Sequence, residues 1–541
     1  MPRRCVYLVG AALATLLTSS TGSGAPDALA DFRRGLIALH HFEYEQANAA
    51  FVHAREANPT FVLAYWGEAM TYYQPLWRNE NVAAGREALA RLGPTAAARA
   101  KAAPTAREKD LVIAADVLFG DGDPSVRYEH YRDAMQRAAS DFPHDPDVVS
   151  LYALTLLGNA SRSLIGAGDP RVEGLAGSEL QRTVAAMLKG VLAEHPRHPG
   201  ALHYLLHTYD DPAHAALALE AAKAYASVAG HASHALHMPA HIFLQLGRWH
   251  DAAASDQAAY TASVEWVRQQ NLPKGLRNYH ALGWLQYELL QLGRYREARD
   301  SIDQLAPVVA ETSPSGHDGS HQPLLGDLSS MRARFAVETR QWQSMKDVTT
   351  FGNVNDLFAI GMAAANSGSV ERAQMVRQTL ASRSRAPEEG DLRPAIAIME
   401  REMAALIART RGAVPEALDI LRAAARDELA LPPPLGLPAP IKPAPEMLGE
   451  FLLESGGARE AAESFDAVLK RHPNRTLSVL GRARAAARLG DTATARRFYQ
   501  QLLENFTRAD GNLPELAEAR TAVNAAVPKK PQRPQNPQRK Q

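Results

Sequence analysis

The spacing between like residues constrains this chain more than any other feature. Ala461, Phe465 and Val468 return 34 residues later as Ala495, Tyr499 and Leu502, and His203 and His207 return 34 residues later as His237 and His241. That period is the length of a helix, a turn and a second helix that stack on a copy of themselves. One such hairpin cannot bury its apolar face alone, so a chain that repeats it must fold as an array in which each unit covers its neighbour. Near the start, Gly35, Ala47, Phe51, Ala54 and Pro59 have the same mutual spacing as Gly449, Ala461, Phe465, Val468 and Pro473 near the end. The small residues let paired helices approach closely, and the aromatics fill the gap between hairpins. No convincing alternating run argues for a strand.

These are the marks of tetratricopeptide (TPR) hairpins, and the predicted fold is all-α: a TPR-like right-handed α-solenoid of helical hairpins. Residues 1–24 read as a signal peptide. Arg3 and Arg4 are followed by an apolar run over 6–17 and a small, polar stretch over 18–24, too short to span a bilayer comfortably. The chain is therefore expected to be exported, periplasmic or secreted, with no membrane span. The only cysteine, Cys5, lies in that segment. A processed chain then has no disulfide, no cysteine ligand and no cysteine nucleophile. Basic and acidic residues balance at 59 each, which argues against a nucleic-acid binder relying on a strongly basic face.

Composition divides the remainder. Residues 25–311 read as an N-terminal TPR-like solenoid with the histidine cluster, 312–325 as a loop and 326–430 as a helical middle region. Residues 431–445 hold seven prolines and read as an extended connector. Residues 446–527 read as C-terminal TPR repeats, and 528–541 as a disordered basic tail. The spacing predicts helices over 107–119 and 128–142 and another starting at Pro146. Leu246-Gly247-Arg248-Trp249 and Leu292-Gly293-Arg294-Tyr295 look like one turn used twice, with glycine as the left-handed residue ending a helix.

Eight of the nineteen histidines fall between His203 and His250. Offsets of three and four place His203 with His207, and His234 with His237 and His241, on one face of two equivalent helices. Neutral imidazole is a common metal ligand, and a pair at i and i+4 can hold one ion through both rings. Two pairs on adjacent helices can supply four nitrogens around one point. His203, His207, His237 and His241 are thus the candidate ligands, with His234, His280 and Asp211 as further ligands or ring-orienting partners. Asp210 is the other carboxylate in reach. Zinc, copper or iron, and nickel also, suit such a donor set, and the adjoining Met238 makes copper worth testing. Pro239, between His237 and His241, is expected in the first helical turn, with Ser233 or His234 capping upstream. His214, His231 and His250 lie off the main face.

Two other readings stand beside the metal: a metal-free polar groove that takes a peptide, and histidines that only pack. Neither pair carries a glutamate after its first histidine, so a zincin-type protease is unsupported, and the sequence leaves catalysis undecided. The function expected is an exported TPR-repeat protein with a histidine-lined, metal-binding pocket on the concave face that holds a small molecule or peptide. The alternative is a metal-free periplasmic scaffold with a peptide or protein partner in its groove. The aromatic-rich stretch around Tyr65, Trp66, Tyr72, Tyr73 and Trp77 reads mainly as core packing.

At the histidines the chain resembles a group of exported bacterial TPR-repeat proteins that share HxxxH…D-x-P, then HxxHMPxHI and an LGxW or GRY turn. Here His203-Tyr204-Leu205-Leu206-His207, Asp210-Asp211-Pro212 and His234-Ala235-Leu236-His237-Met238-Pro239-Ala240-His241-Ile242 carry it. The resemblance covers most of residues 30–510. It implies that His280 matches a downstream histidine of that group, and it implies no particular reaction. Tyr73-Gln74-Pro75-Leu76-Trp77 departs from it, with Gln74 where a histidine often precedes the proline.

Overall fold

The computed structural model describes residues 25–163, 176–312, 321–345, 348 and 352–525. The expected signal peptide and basic tail fall outside the described residues. The described chain is helical hairpins throughout, with one two-residue antiparallel ladder in which Tyr73 faces Glu80. It divides into two compact units. The first runs through Ile242 and includes Thr261–Ser263, and the second takes Phe243–Tyr260 and everything from Val264. The expected boundary at 311 lies within the second of these units.

In the first unit, α1 (Ala25–His40), α2 (Tyr44–Ala57) and α3 (Val62–Met70) pack in succession. Phe51 of α2 is fully buried between two glycines: a methyl at Gly35 would sit 2.8 Å from its ring, and one at Gly67 would sit 2.5 Å away. The small and aromatic residues picked out by spacing are therefore the slot and the wedge of one hairpin stack. Next come α4 (Val82–Leu92), α5 (Ala96–Ala102), α6 (Ala106–Leu118) and α7 (Pro124–Asp141), the last two close to the predicted helices. Thr105 and Glu108 form a reciprocal capping box that starts α6. Then follow α8 (Pro146–Ser163), α9 (Glu179–Glu194), α10 (Pro199–Thr208) and α11 (Leu219–Ala226). Far apart in sequence, α1 also packs on α10, so the end of α1 meets the first histidine helix.

The division runs through α12 (Ser233–Gln245) and α13 (Trp249–Gln269). Pro239 lies in the interior of α12, not its first turn. Ser233 opens the helix rather than preceding it, which moves the proline into the second turn. There Pro239 removes the N–H that would bond the Ala235 carbonyl.

The second unit continues through α14 (Tyr279–Gln291), α15 (Tyr295–Glu311) and α16 (His321–Thr339). The helix begins at His321, inside the segment expected to be loop; Leu324 is buried against the α14–α15 core, and that burial extends the helix. Gly247 and Gly293 have φ of 65° and 67°, as the shared turn requires. After α17 (Val354–Asn366), α18 (Val370–Arg383), α19 (Arg393–Thr410) and α20 (Val414–Ala430), the proline-rich segment runs without helix to α21 (Ala444–Glu454). It packs as a strap on its own unit. Gly436 lies so close under Trp284 that an added methyl would be 2.9 Å from the indole, and Arg471 donates to the carbonyls of Leu431 and Pro432.

The last helices are α22 (Ala458–Arg471), α23 (Thr476–Arg488), α24 (Thr492–Asn505) and α25 (Pro514–Ala525). Phe465 repeats the role of Phe51, wedged against Gly449 and Gly481. Arg475 is fully buried and ties these repeats to the middle of the unit. Its guanidinium bonds Glu446 at 2.8 and 2.9 Å, Glu338 at 2.7 Å and the Tyr287 hydroxyl at 3.0 Å. No helix among the described residues is long and apolar enough to cross a membrane.

Candidate metal centre

His203 sits inside α10 and is fully buried. Its Nδ1 lies 2.6 Å from the His40 carbonyl oxygen. A carbonyl only accepts, so Nδ1 carries the hydrogen and Nε2 holds a bare lone pair in the neutral ring. Burial first, and then the imidazoles of His207 and His234, keep the ring neutral by holding its pKa well below the usual histidine range. That one lone pair meets two nitrogens: His207 Nε2 at 3.1 Å and His234 Nε2 at 3.2 Å. A single in-plane lone pair can receive one N–H; the second approach has nothing to bond to it. A tetrahedral cation with metal–nitrogen distances near 2.0–2.1 Å sets its ligand nitrogens roughly 3.3 Å apart. The two distances from His203 Nε2 are close to that spacing, and the ligand atoms of all three rings lie within 4.8 Å of one another. His207 and His234 keep partial exposure, so the cluster is reachable from solvent.

The other pair stands on α12. His241 Nδ1 donates to Asp210 Oδ2 at 2.7 Å, which leaves His241 Nε2 bare, and His237 Nε2 lies 2.9 Å from it. His237 is buried; burial, then the His241 ring, push its pKa well below the histidine range against the pull of Asp210. His207 feels both groups. Burial lowers it to about 4, with Asp210 opposing and His241 and His237 adding to the shift. The expectation of four nitrogens around one point is therefore corrected. The rings gather as a trio, His203, His207 and His234, beside a separate pair, His237 and His241, because His234 takes the place by His203 that α12 was expected to fill with His237.

Asp211 does not face the rings. It accepts from Gln181 Nε2 at 3.0 Å, from His214 Nδ1 at 2.8 Å and from the backbone N–H groups of Ala213 and His214. It fixes the turn after α10, and its neighbour Asp210 orients the ring. His280 opens α14 in the second unit, exposed, with its ring 5.4 Å from Trp284.

Sequence reasoning missed the end of α1 and the turn after it, His40 to Glu43, which meet the histidine helices and α11. The His40 carbonyl fixes the tautomer of His203, and the His40 ring lies 2.9 Å from the Tyr204 hydroxyl. His41 Nδ1 lies 2.8 Å from the Tyr225 hydroxyl. Phe42 reaches all three rings of the trio, with centroids 4.4 Å from His203, 5.7 Å from His207 and 5.6 Å from His234. The Glu43 carboxylate accepts from the backbone N–H groups of Ser233 and His234 at the start of α12. Phe42 occupies the position that usually takes glycine: φ is 63°, and the Glu43 N–H closes back on Ala38 O at 2.9 Å. Trp77, from the stretch read as core packing, is 48% exposed and meets His234 edge-on at 5.0 Å. The one available signal was the adjacent His40-His41 pair at a helix end.

A third histidine group, His40, His198 and Asp147, also has its ligand atoms close together. Its hydrogen bonds are complete. Asp147 Oδ1 accepts from His40 Nε2 at 3.0 Å and His198 Nε2 at 3.1 Å; Tyr204 faces His40 Nδ1, and Ala201 N–H fills His198 Nδ1. No lone pair converges there, and the group acts as a brace under α10.

The fold and the site together define an all-α protein of TPR-like helical hairpins with an imidazole-lined cluster. No family model and no curated protein sequence matches the chain. Solved structures to which it is similar include the Cut9–Hcn1 hetero-tetramer of the APC/C, at 10% identity and a TM-score of 0.31, over 78% of this chain and 83% of that one. Others are the human IFIT1 dimer with m7Gppp-AAAA, at 13% identity and 0.30 over 90% and 95%, and the P58(IPK) TPR domain, at 12% and 0.22 over 86% and 99%.

Proposed function

We propose that the protein is an exported TPR-repeat protein whose histidine cluster binds a divalent transition metal through Nε2 of His203, His207 and His234. One observation carries this reading: the lone pair of His203, its tautomer set by the His40 carbonyl, faces two further imidazole nitrogens at 3.1 and 3.2 Å. Neutral rings so arranged repel or waste a donor, and a cation turns the same geometry into three bonds. Three nitrogen ligands suit zinc first, with copper and iron close behind. Three protein ligands leave a tetrahedral ion one position for water or a small ligand, which is the arrangement of catalytic zinc rather than structural zinc. Phe42 and Trp77 would wall that position with apolar surface.

The test is elemental analysis of the purified protein. It should carry metal that His234→Ala removes in part and that a chelator strips with loss of thermal stability. Metal-free protein that neither binds added zinc nor changes its melting would overturn the reading. Export is checked separately, by the mass of the N-terminus after secretion.

A peptide-binding groove is favoured by one observation, the half-exposed Trp77 against His234. It predicts that Trp77→Ala abolishes partner capture while metal content stays at zero.

A further inference from the structure

We infer that the pair His237 and His241 forms a second cation site beside the trio, backed by Asp210. This rests on the metal reading of the trio. Three observations point to it. First, His241 gives its Nδ1 hydrogen to Asp210, so its Nε2 lone pair is directed at His237 Nε2, 2.9 Å away. That is the carboxylate–histidine arrangement that fixes a ligand ring and makes it more basic.

Second, Asp210 Oδ1 is buried and has no hydrogen-bond donor beside it, among the described residues. A buried carboxylate oxygen without a donor costs about 1–3 kcal/mol or more unless positive charge lies near it. A divalent cation at the pair would supply that charge.

Third, the trio does not absorb this pair. The ligand atoms of His203, His207 and His234 close among themselves, and His203 has a single lone pair to give. His207 interacts electrostatically with Asp210, His237 and His241, so the two sites are neighbours and not remote. Each repeat thus contributes its own i, i+4 pair to a different ion, and His234 completes the first. Two imidazoles with an outer carboxylate suit a borderline cation such as Zn²⁺, Co²⁺, Ni²⁺ or Cu²⁺.

The experiment is titration of the chelator-treated full chain with Co²⁺, read by visible absorption and by calorimetry. The expected result is two binding steps. His241→Gln should remove one step and leave the other within about threefold, while His234→Gln should remove the complementary step. Asp210→Asn, which keeps the side-chain size, should weaken the His241 step by about 10- to 100-fold and spare the trio. Circular dichroism checks the fold of each variant, and Asp210→Asn carries the test if His241→Gln misfolds. One step, lost equally in all three variants, would overturn the second site and leave a single shared centre. One step lost only in His234→Gln would overturn it and leave the trio. Absence of any step would overturn the trio itself.

Discussion

Phe42 shows how much one residue can decide. A non-glycine residue in the left-handed region costs about 1–2 kcal/mol, yet Phe42 holds φ of 63° and is 5% exposed. Losing a buried phenyl ring costs about 3–5 kcal/mol. Packing therefore outweighs strain, and Phe42→Gly should destabilise the first unit by roughly 1–4 kcal/mol in urea unfolding. It should also weaken the metal binding proposed for the trio, since the ring lies against all three imidazoles. A neutral or stabilising effect would show that the ring matters only for the turn. His41 and His207 give the same unit an acid-sensitive core. Both have folded pKa values lowered to about 4 by burial first. The unfolded chain takes up their protons near 6.5 while the folded chain does not. Stability is then full above pH 6.5, falls as pH drops toward 4, and levels off below, by about 3 kcal/mol for each group. Urea midpoints of metal-free protein that stay flat from pH 7 to 4 would contradict this.

At the scale of elements, hairpins are registered by aromatic wedges in glycine slots. Gly67→Ala places a methyl 2.5 Å from the Phe51 ring, so overpacking should cost about 1–3 kcal/mol. Gly190→Ala, in the exposed face of α9 with nothing near its added methyl, should stabilise by up to about 1 kcal/mol through helix propensity. Thermal denaturation of the two variants, moving in opposite directions, checks the wedge. The repeat spacing made these wedges legible, because position along a hairpin dictates them. It also gave the face of α10 and α12 that bears histidine. It did not give their grouping. His234 and His237 are three residues apart on α12, and spacing alone cannot say which joins α10. Nor could it separate Asp210 from Asp211, because the turn after α10 decides which carboxylate faces the rings.

For the whole molecule, the C-terminal repeats are bound into the second unit by charge as well as by apolar packing. Arg475→Met would leave Glu338 buried without its cation and Glu446 with Lys442 alone. Breaking a buried pair from one side costs about 3–5 kcal/mol. The variant should lower the unfolding transition of the second unit, with partial rescue by Glu446→Gln in the same chain. Deleting residues 446–527 removes Arg475 together with its partner Glu446 and strips cover from the proline-rich strap. Lower solubility is expected, and an unchanged, soluble remainder would mean that these repeats fold independently.

The amino-acid sequence alone determined the hairpin architecture, the wedge residues and the helix faces that carry imidazole, because each follows from periodicity within about one repeat of chain. Tertiary structure alone decided what those imidazoles become. His40 to Glu43 meet His203 and α12 across more than 150 residues of sequence, through the packing of α1 on α10. Tautomer, burial and the trio-and-pair grouping all depend on that contact. No local pattern encodes it, since it is set by how the first unit's helices close on one another.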